Sequence, residues 1–224
     1  AYAPIIDAGI YNYSSLIPDE PLHIDSDGNN KIKNWPENWY HSYKGRVTLQ
    51  WAIEKSANAP AAQMVNTLTP RKSYEFLTKK LGITSLDSHD ASSLAALATG
   101  GTHYGVTPRE MAGAFQIFGN GGKYNKPYTY FYVTDRNDKV ILDSRDNIPT
   151  QSVASSTATI MNRLLRNVIV GAEGTGRSAN IPDWNIVGKT GTTTDDHDSW
   201  FVGMSPYAVS AIWTGYDNPK RIGE

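Results

Sequence analysis

The sequence contains no cysteine, and its 21 Lys and Arg residues nearly balance its 22 Asp and Glu residues. Without thiols, these 224 residues can form neither disulfides nor thiolate-ligated zinc or iron–sulfur sites. The net charge of −1 argues against a groove that neutralises many phosphates, so nucleic acid is not an expected partner. No run of about 18 apolar residues occurs, so the sequence offers no candidate for a membrane-spanning helix.

The remaining composition is that of a folded globular protein. Hydrophobic residues make up 39% of the chain, and the 13 tyrosines and 6 tryptophans are too many for a disordered segment. A length of 224 residues suits one domain, or a large part of one, rather than two complete domains.

Local signals for helices dominate the N-terminal and middle parts of the chain. Residues Ala1–Ala8 resemble the tail of a helix that ends at Gly9, because no capping residue precedes them. Apolar residues at helical spacing predict an amphipathic helix around Ile160–Val168. Capping residues or prolines mark four further helix starts, which lie at Thr48, Pro60, Thr69-Pro70 and Thr107–Glu110.

Strand signals cluster towards the C-terminus. Residues 128–135 and 140–143 predict a hairpin, whereas residues 11–46 show no periodicity and predict a long loop. Three antiparallel strands are predicted at 185–190, 199–204 and 208–216. A helical middle beside a terminal sheet indicates an α+β fold, with an antiparallel sheet flanked by helices and a helical subdomain.

The predicted loop carries four aromatic residues in its second half, which are Trp35, Trp39, Tyr40 and Tyr43. Aromatic side chains of this kind can cover a binding groove, or they can attach a long loop to the body of the domain. The second interpretation is favoured, and the sequence leaves both open.

Three polar motifs resemble ligand sites but fit simpler structures better. Gly119–Lys123 lacks the Ser or Thr that follows the lysine of a P-loop, and Asp25–Asn30 lacks the glycine and glutamate of a calcium loop. Both are predicted to be turns. Asp195–Asp198 offers adjacent side chains that point in different directions, so an exposed loop is expected there. We therefore expect neither a metal ion nor another cofactor.

Two short polar motifs remain, and each has a simple structural explanation. Ser56 and Asn58 lie between two predicted helices, where Ser and Asn are ordinary capping residues. Lys189 and Gly191 share one face of a predicted strand, with Thr190 on the other face unless the strand twists or bulges. Glycine in that strand lets another group approach the backbone closely.

Taken together, the two motifs change the interpretation. A Ser-x-Asn motif followed about 130 residues later by Lys-Thr-Gly on a strand resembles the motif set of penicillin-binding proteins and serine β-lactamases. Most of the chain, in order, resembles the transpeptidase domain of class A, bifunctional penicillin-binding proteins. Further segments that carry the resemblance are Tyr2–Pro4, Val47–Ile53, Gly105–Ala112, Phe118–Gly122, Gly174–Gly176, Trp200–Gly203 and Ala211–Asp217.

One part of the family's motif set is missing. No lysine in this sequence follows a serine by three positions, so the Ser-x-x-Lys motif that carries the family's nucleophile is absent. In the family, that motif starts the helix that continues into a segment like Ala1–Pro4. We therefore expect residues 1–224 to be the C-terminal part of a transpeptidase domain that starts just after Ser-x-x-Lys. Its penicillin-binding protein/serine β-lactamase-like fold is expected to be incomplete at both ends.

The resemblance implies acyl transfer from a D-alanyl-D-alanine stem peptide through a serine acyl-enzyme, which β-lactams inhibit. It implies that the catalytic residues present are Ser56, Asn58 and Lys189, and that the substrate-binding residues are Thr190, Gly191 and Thr192. Ser56 would relay a proton, and the Asn58 amide would orient a lysine and the substrate. Lys189 and the two threonine hydroxyls would bind the substrate carboxylate, and the N–H of Thr192 would serve as an oxyanion-hole donor.

The implied partners are peptidoglycan stem peptides, β-lactam antibiotics and an N-terminal fragment of the same protein that carries Ser-x-x-Lys. The implied location is the outer face of the bacterial cytoplasmic membrane, with the parent protein anchored upstream. Without the nucleophile, residues 1–224 alone are expected to be inactive. Two alternatives remain open: a β-lactamase or D,D-carboxypeptidase of the same superfamily, and a non-catalytic cell-wall-binding pseudoenzyme.

Overall fold

The computed structural model describes residues 1–25 and 32–223 of the chain. Helices and short strands alternate through most of these residues, and three longer strands form an antiparallel sheet near the C-terminal end. The predicted α+β fold, with helices flanking that sheet, is therefore confirmed. Among the described residues, no helix is long and apolar enough to cross a membrane.

The predicted helices are present among the described residues, the one around 160–168 begins earlier than expected, and one further helix, Leu94–Thr99, was not predicted. The helices of the described residues are α1 (Tyr2–Asp7), α2 (Leu49–Glu54), α3 (Asn58–Leu68), α4 (Pro70–Glu75), α5 (Leu94–Thr99), α6 (Pro108–Phe115) and α7 (Ser155–Val170). A π-helical turn, Phe76–Lys80, extends α4, and short 3₁₀ turns lie at Gln116–Phe118, Arg177–Ala179 and Thr194–Asp196. Side chains of Thr48, Thr69 and Thr107 each accept a hydrogen bond from the backbone three residues on, which confirms three predicted caps.

Helix α3 begins two residues before the predicted start at Pro60. The side-chain oxygen of Asn38 accepts hydrogen bonds from the backbone N–H groups of Asn58 (2.9 Å) and Ala59 (3.0 Å). Because the capping residue lies 20 positions before the helix, the residues next to Asn58 give no signal that the helix starts there. Pro60 then lies within the first turn, where a missing N–H costs the helix nothing.

The described strands pair only in antiparallel fashion. They are β1 (Leu16–Asp19), β2 (Leu22–Asp25), β3 (Ile32–Trp35), β4 (Gly45–Thr48), β5 (Lys123–Tyr124), β6 (Tyr132–Thr134), β7 (Val140–Asp143), β8 (Thr150–Gln151), β9 (Val187–Thr192), β10 (Asp198–Met204) and β11 (Val209–Gly215). Strands β9, β10 and β11 form the predicted sheet in the order β11–β10–β9, with Lys189 opposite Val202. The predicted hairpin is also present as β6–β7, although β6 starts later than expected.

The prediction of a structureless loop at 11–46 is wrong. Three strands of four residues each lie within this region and a fourth begins at its end, and they pair as β1–β4 and β2–β3. Strands this short give no clear alternation of apolar and polar residues, and Pro18 within β1 is itself a signal against a strand. The two short strand pairs therefore could not be recognised from the periodicity of the sequence.

The polar motifs that resembled ligand sites have the structures expected of turns. Gly121 and Gly122 have φ values of 73° and 87°, which ends the preceding helical segment as predicted. Asp195 and Asp196 lie in the exposed 3₁₀ turn between β9 and β10. Most of the third motif, residues 26–30, lies outside the described residues.

The main hydrophobic core lies where α1, α2, α3 and α7 meet. Ile5, Ile17, Leu49, Met64 and Leu164 are fully buried there, which ties the first helix and β1 to the long helix α7. A smaller cluster of Leu165, Val187 and Met204 packs α7 against the sheet. Because α7 contributes to both clusters, it fixes the position of β9 relative to α2 and α3.

A carboxylate fixes the start of α6 against the loop that follows α4. Glu110 accepts hydrogen bonds from the backbone N–H groups of Thr84 (2.7 Å), Ser85 (3.1 Å) and Thr107 (2.9 Å). Partial burial raises the pKa of Glu110, but the hydrogen bonds from Thr107 and Thr84 outweigh this effect. The pKa is therefore lowered to about 2. The ionised carboxylate therefore joins a capping box to a distant loop.

We expect Glu110→Gln to lower the free energy of unfolding by about 1–2 kcal/mol at pH 7, because it removes a charged acceptor. The folded-state pKa of Glu110 is depressed, so its contribution is present above about pH 5 and is lost as the pH falls towards 2. The difference in unfolding free energy between Glu110→Gln and its parent, measured by urea denaturation, should be smaller at pH 3 than at pH 7. In the control Glu75→Gln, only exposed ion pairs are lost, and a smaller change is expected. Equal stabilities of Glu110→Gln and its parent at pH 7 would contradict this assignment.

Candidate active site

A groove of about 470 Å³ lies between the α2–α3 junction, the segment around α5 and the edge of strand β9. All six residues that the sequence singles out line this groove, namely Ser56, Asn58, Lys189, Thr190, Gly191 and Thr192. Residues of the α5 segment, including Leu97, Gly100 and Thr102, form the opposite wall. The structure thus brings together two motifs that are far apart in the chain.

Ser56 lies at the end of α2 in a strained backbone conformation. Its N–H donates to the carbonyl of Ile53 (3.1 Å), and the N–H of Ala57 donates to that of Ala52 (2.9 Å). This pattern is a Schellman motif, which requires a left-handed residue and usually has glycine there. Ser56 has a φ of 55°, at a cost of about 1 kcal/mol, and strain of this kind is concentrated at functional sites.

A buried hydrogen-bond network holds the next residues in place. Asn38, which caps α3, donates from Nδ2 to Asp19 Oδ1 (2.7 Å) and to the carbonyl of Ser42 (2.9 Å). Asp19 is fully buried and also accepts from the Tyr40 hydroxyl (2.9 Å). Asn58 donates from its side chain to the carbonyl of Glu37 (2.9 Å) rather than capping a helix. The loop before β4 therefore sets the position of Asn58.

Two aromatic residues of that loop attach it to α2. The indole N–H of Trp39 donates to the carbonyl of Lys55 (2.9 Å), and the ring of Tyr40 lies 5.9 Å from that of Trp51, centre to centre. The Tyr43 hydroxyl instead closes the loop on itself, because it donates to the carbonyl of Pro36 (3.0 Å). Neither these three loop residues nor Trp35 line the groove. Of the two interpretations that the sequence left open, attachment is the one that the structure supports.

Lys189 reaches from strand β9 to the end of α2. Its Nζ donates to Ser56 Oγ at 2.6 Å and to the carbonyl of Thr190 at 2.8 Å. Desolvation by burial lowers the pKa of Lys189 to about 8. An amine with this pKa exchanges a proton readily near neutral pH, and its nearest side-chain partner is a hydroxyl.

The other residues of the Lys-Thr-Gly strand have more specific roles in the fold than the sequence suggests. The Thr190 hydroxyl lies 2.6 Å from that of Thr175. A Cβ on Gly191 would lie 3.3 Å from the Cβ of Trp200 on the neighbouring strand. The missing side chain of Gly191 therefore leaves room for Trp200, which is a packing reason for glycine that the sequence analysis did not include.

The loop after α7 contributes a residue that the sequence analysis did not select. Thr175 contacts Thr190, and its neighbour Glu173 binds the end of α2 twice, through its N–H to Glu54 (2.8 Å) and its carboxylate to Lys55 (2.6 Å). This loop therefore links α2, which carries Ser56, to strand β9. In the sequence, Thr175 belongs to the Gly174–Gly176 segment that carries part of the family resemblance, but that segment alone indicates no role for it.

The comparison with protein families agrees with this geometry. A family model described as the penicillin binding protein transpeptidase domain matches residues 1–221. The chain therefore belongs to the family of penicillin-binding protein transpeptidase domains.

Curated relatives narrow the comparison to one group within the family. Penicillin-binding protein 1A of Clostridium acetobutylicum is 36% identical over 225 residues, which cover 99% of this chain and 27% of that protein. Penicillin-binding protein 1A of Clostridium perfringens strain 13 is 32% identical over 230 residues, which cover 99% of this chain and 33% of that protein. The chain thus resembles class A penicillin-binding proteins and spans about a quarter to a third of the length of these relatives.

Solved structures share the fold. Penicillin-Binding Protein 1A from Haemophilus influenzae gives a TM-score of 0.77 at 24% identity, over 100% of this chain and 38% of that chain. PonA1 from Mycobacterium tuberculosis in complex with penicillin V gives a TM-score of 0.76 at 19% identity, over 97% of this chain and 59% of that chain. At these identities the likeness establishes the fold alone.

The lowered pKa of Lys189 predicts a stability effect at alkaline pH. Between pH 8 and 10.5 the unfolded chain binds more protons than the folded one, so the free energy of unfolding rises with pH across this window. The rise is at most about 3 kcal/mol and should disappear in Lys189→Met. Urea denaturation at pH 8 and pH 10 measures it. Lys79→Met, which removes an exposed ion pair, should keep the rise, and a Lys189→Met protein that also kept it would contradict the assignment.

Proposed function

We propose that this chain forms part of a peptidoglycan D,D-transpeptidase, which cross-links stem peptides through a serine acyl-enzyme and is inhibited by β-lactams. The observation that carries the proposal is the 2.6 Å hydrogen bond from Lys189 Nζ to Ser56 Oγ within the groove. The family match and the relatives named penicillin-binding protein 1A support this type of reaction.

In the first half-reaction, a serine hydroxyl attacks the carbonyl carbon of the penultimate D-alanine. The bond to the terminal D-alanine breaks, and its nitrogen takes up a proton as it leaves. The Ser56 hydroxyl is suited to relay that proton, because Lys189 beside it has a pKa lowered to about 8. Asn58 lines the same groove and would orient the peptide backbone.

In the second half-reaction, an amino group of a neighbouring stem peptide attacks the acyl-enzyme ester. A peptide bond forms, the serine oxygen leaves, and the proton lost by the amine returns to the serine. A β-lactam imitates the terminal dipeptide and stops at the acyl-enzyme, because its leaving group stays attached. We propose the N–H of Thr192 as one donor to the oxyanion, an interaction that typically lowers such a barrier by about 3–4 kcal/mol.

The terminal carboxylate of the stem peptide would bind at the edge of β9. Lys189 supplies positive charge, and the hydroxyls of Thr190 and Thr192 line the groove beside it. The contact from Thr175 holds the Thr190 hydroxyl in one orientation, which suits a fixed anion contact. Gly191 lies between the two threonines and keeps this edge of the strand free of a bulky side chain.

The nucleophile is proposed to lie outside these residues. No Ser-x-x-Lys motif occurs in residues 1–224, so we propose that this chain is the C-terminal part of a transpeptidase domain. A preceding segment would supply the serine. Residues 1–224 alone would then form the groove but could not be acylated by the substrate or by a β-lactam.

The partners follow from the same proposal. They are peptidoglycan stem peptides, β-lactams and the N-terminal segment that carries Ser-x-x-Lys. Because these substrates lie outside the cytoplasm, we propose that the parent protein acts at the outer face of the cytoplasmic membrane.

Intact mass spectrometry before and after treatment with penicillin tests where the nucleophile lies. The full-length protein should gain one drug mass and lose it slowly, whereas residues 1–224 alone should gain none. Rapid loss of the mass would indicate a β-lactamase instead, and no gain by the full-length protein would indicate a non-catalytic wall-binding domain. A gain by residues 1–224 alone would contradict the proposed location of the serine.

Substitutions in the groove test the proposed roles in the full-length protein. Lys189→Ala, Ser56→Ala and Asn58→Ala should each lower the acylation rate by a fluorescent penicillin at least about 100-fold, because each removes a proton carrier or its positioning. The control is Lys123→Ala, since Lys123 is exposed and does not line the groove. Acylation of Lys189→Ala at the parental rate would contradict the role of Lys189.

A further inference from the structure

Two histidines and an aspartate meet outside the catalytic motifs. His103 Nδ1 lies 2.7 Å from Asp87 Oδ2, and His89 Nδ1 lies 3.2 Å from the same oxygen. One ligand atom from each of the three residues lies within 4.8 Å of the others, which among the described residues is the only such group of three. Asp87 and His89 precede α5 and His103 follows it, so the cluster forms only in the folded chain.

The three side chains lie close enough together to share one metal ion. Zinc bonds to imidazole nitrogen and carboxylate oxygen are about 2.0–2.2 Å long, so two ligands of a tetrahedral ion are about 3.4 Å apart. The separations of 2.7 and 3.2 Å are hydrogen-bond distances, so the two histidines would have to move away from Asp87 by about 0.7 and 0.2 Å to admit the ion. The donor set of two imidazoles and one carboxylate suits zinc and its neighbours rather than calcium or magnesium.

The backbone of the cluster is fixed by a buried aspartate that is not itself a ligand. Asp90 is 1% exposed and accepts hydrogen bonds from the N–H of His103 (3.0 Å) and from the N–H of Asp87 (3.1 Å). The ring of Tyr104 lies 4.2 Å from that of His103, centre to centre, and limits its rotation. Metal sites depend on such supporting contacts to hold their ligands in position.

Another close histidine–carboxylate pair lacks these features. His41 Nδ1 lies 2.6 Å from Glu37 Oε1 on the same stretch of chain, and no second histidine of the described residues joins them in a group of three ligands. It is a simple exposed pair, and it provides a matched comparison for the three-residue cluster.

We propose that Asp87, His89 and His103 bind a divalent transition-metal ion of the zinc type, which ties together the two ends of the segment that carries α5. That segment forms one wall of the groove, through residues such as Leu97, Gly100 and Thr102. The ion would therefore stabilise the groove wall and would take no part in the chemistry at Lys189. One ligand position on a tetrahedral ion would stay open to water.

Isothermal titration calorimetry of the metal-free full-length protein with zinc chloride tests the site. We expect one zinc ion per chain, with affinity reduced at least about tenfold in His89→Ala and in His103→Ala. His41→Ala should bind as the parent does. The side chain of His89 is 76% exposed, so its removal tests the site even if His103→Ala folds poorly.

Two results would overturn the proposal. One is the absence of any saturable zinc binding by the parent protein at concentrations up to about 100 μM, where a three-ligand site should fill. The other is binding that persists unchanged in the folded His89→Ala variant. Loss of binding in His41→Ala with retention in His89→Ala would also overturn it, because the ion would then lie elsewhere.

Discussion

The groove depends on one hydrogen bond, between Lys189 and Ser56, which joins the sheet to the helical part of the domain. A desolvated ammonium group needs nearby acceptors, and Lys189 finds two, the Ser56 hydroxyl and the carbonyl of Thr190. The contact requires β9 and the end of α2 to keep a fixed separation. The packing of α7 on both elements meets this requirement.

Two further features hold Ser56 beside Lys189 and keep Asn58 in the same groove. Ser56 replaces the usual glycine of a Schellman motif, and the domain tolerates that strain because helix α2 is held by buried residues on either side. Asn38 caps α3 from the preceding loop, and the fully buried Asp19 holds Asn38 in turn. A buried network with every member satisfied is rigid, and this rigidity aims the two side chains into one groove.

Features encoded by neighbouring residues could be predicted from the sequence. The caps at Thr48, Thr69 and Thr107, the end of α1 at Gly9 and the three-stranded sheet all depend on a few adjacent residues. The features that were missed depend on distant contacts. Strands of four residues carry too little pattern, and the cap on α3, the contact between Thr175 and Thr190 and the cluster around Asp87 each join segments that only folding brings together.

The two walls of the groove are attached to the domain in different ways. One wall is the edge of strand β9, which is hydrogen-bonded to β10 and packs on α7 through Val187. This wall is therefore attached to the hydrophobic core. The α5 wall has two buried residues, Ala96 and Leu97, packs mainly on α3, and is closed at its base by Asp90. Fewer buried apolar contacts mean a lower local stability. The width of the groove is therefore most sensitive to contacts at the base of α5, whereas the position of Lys189 is set by the core.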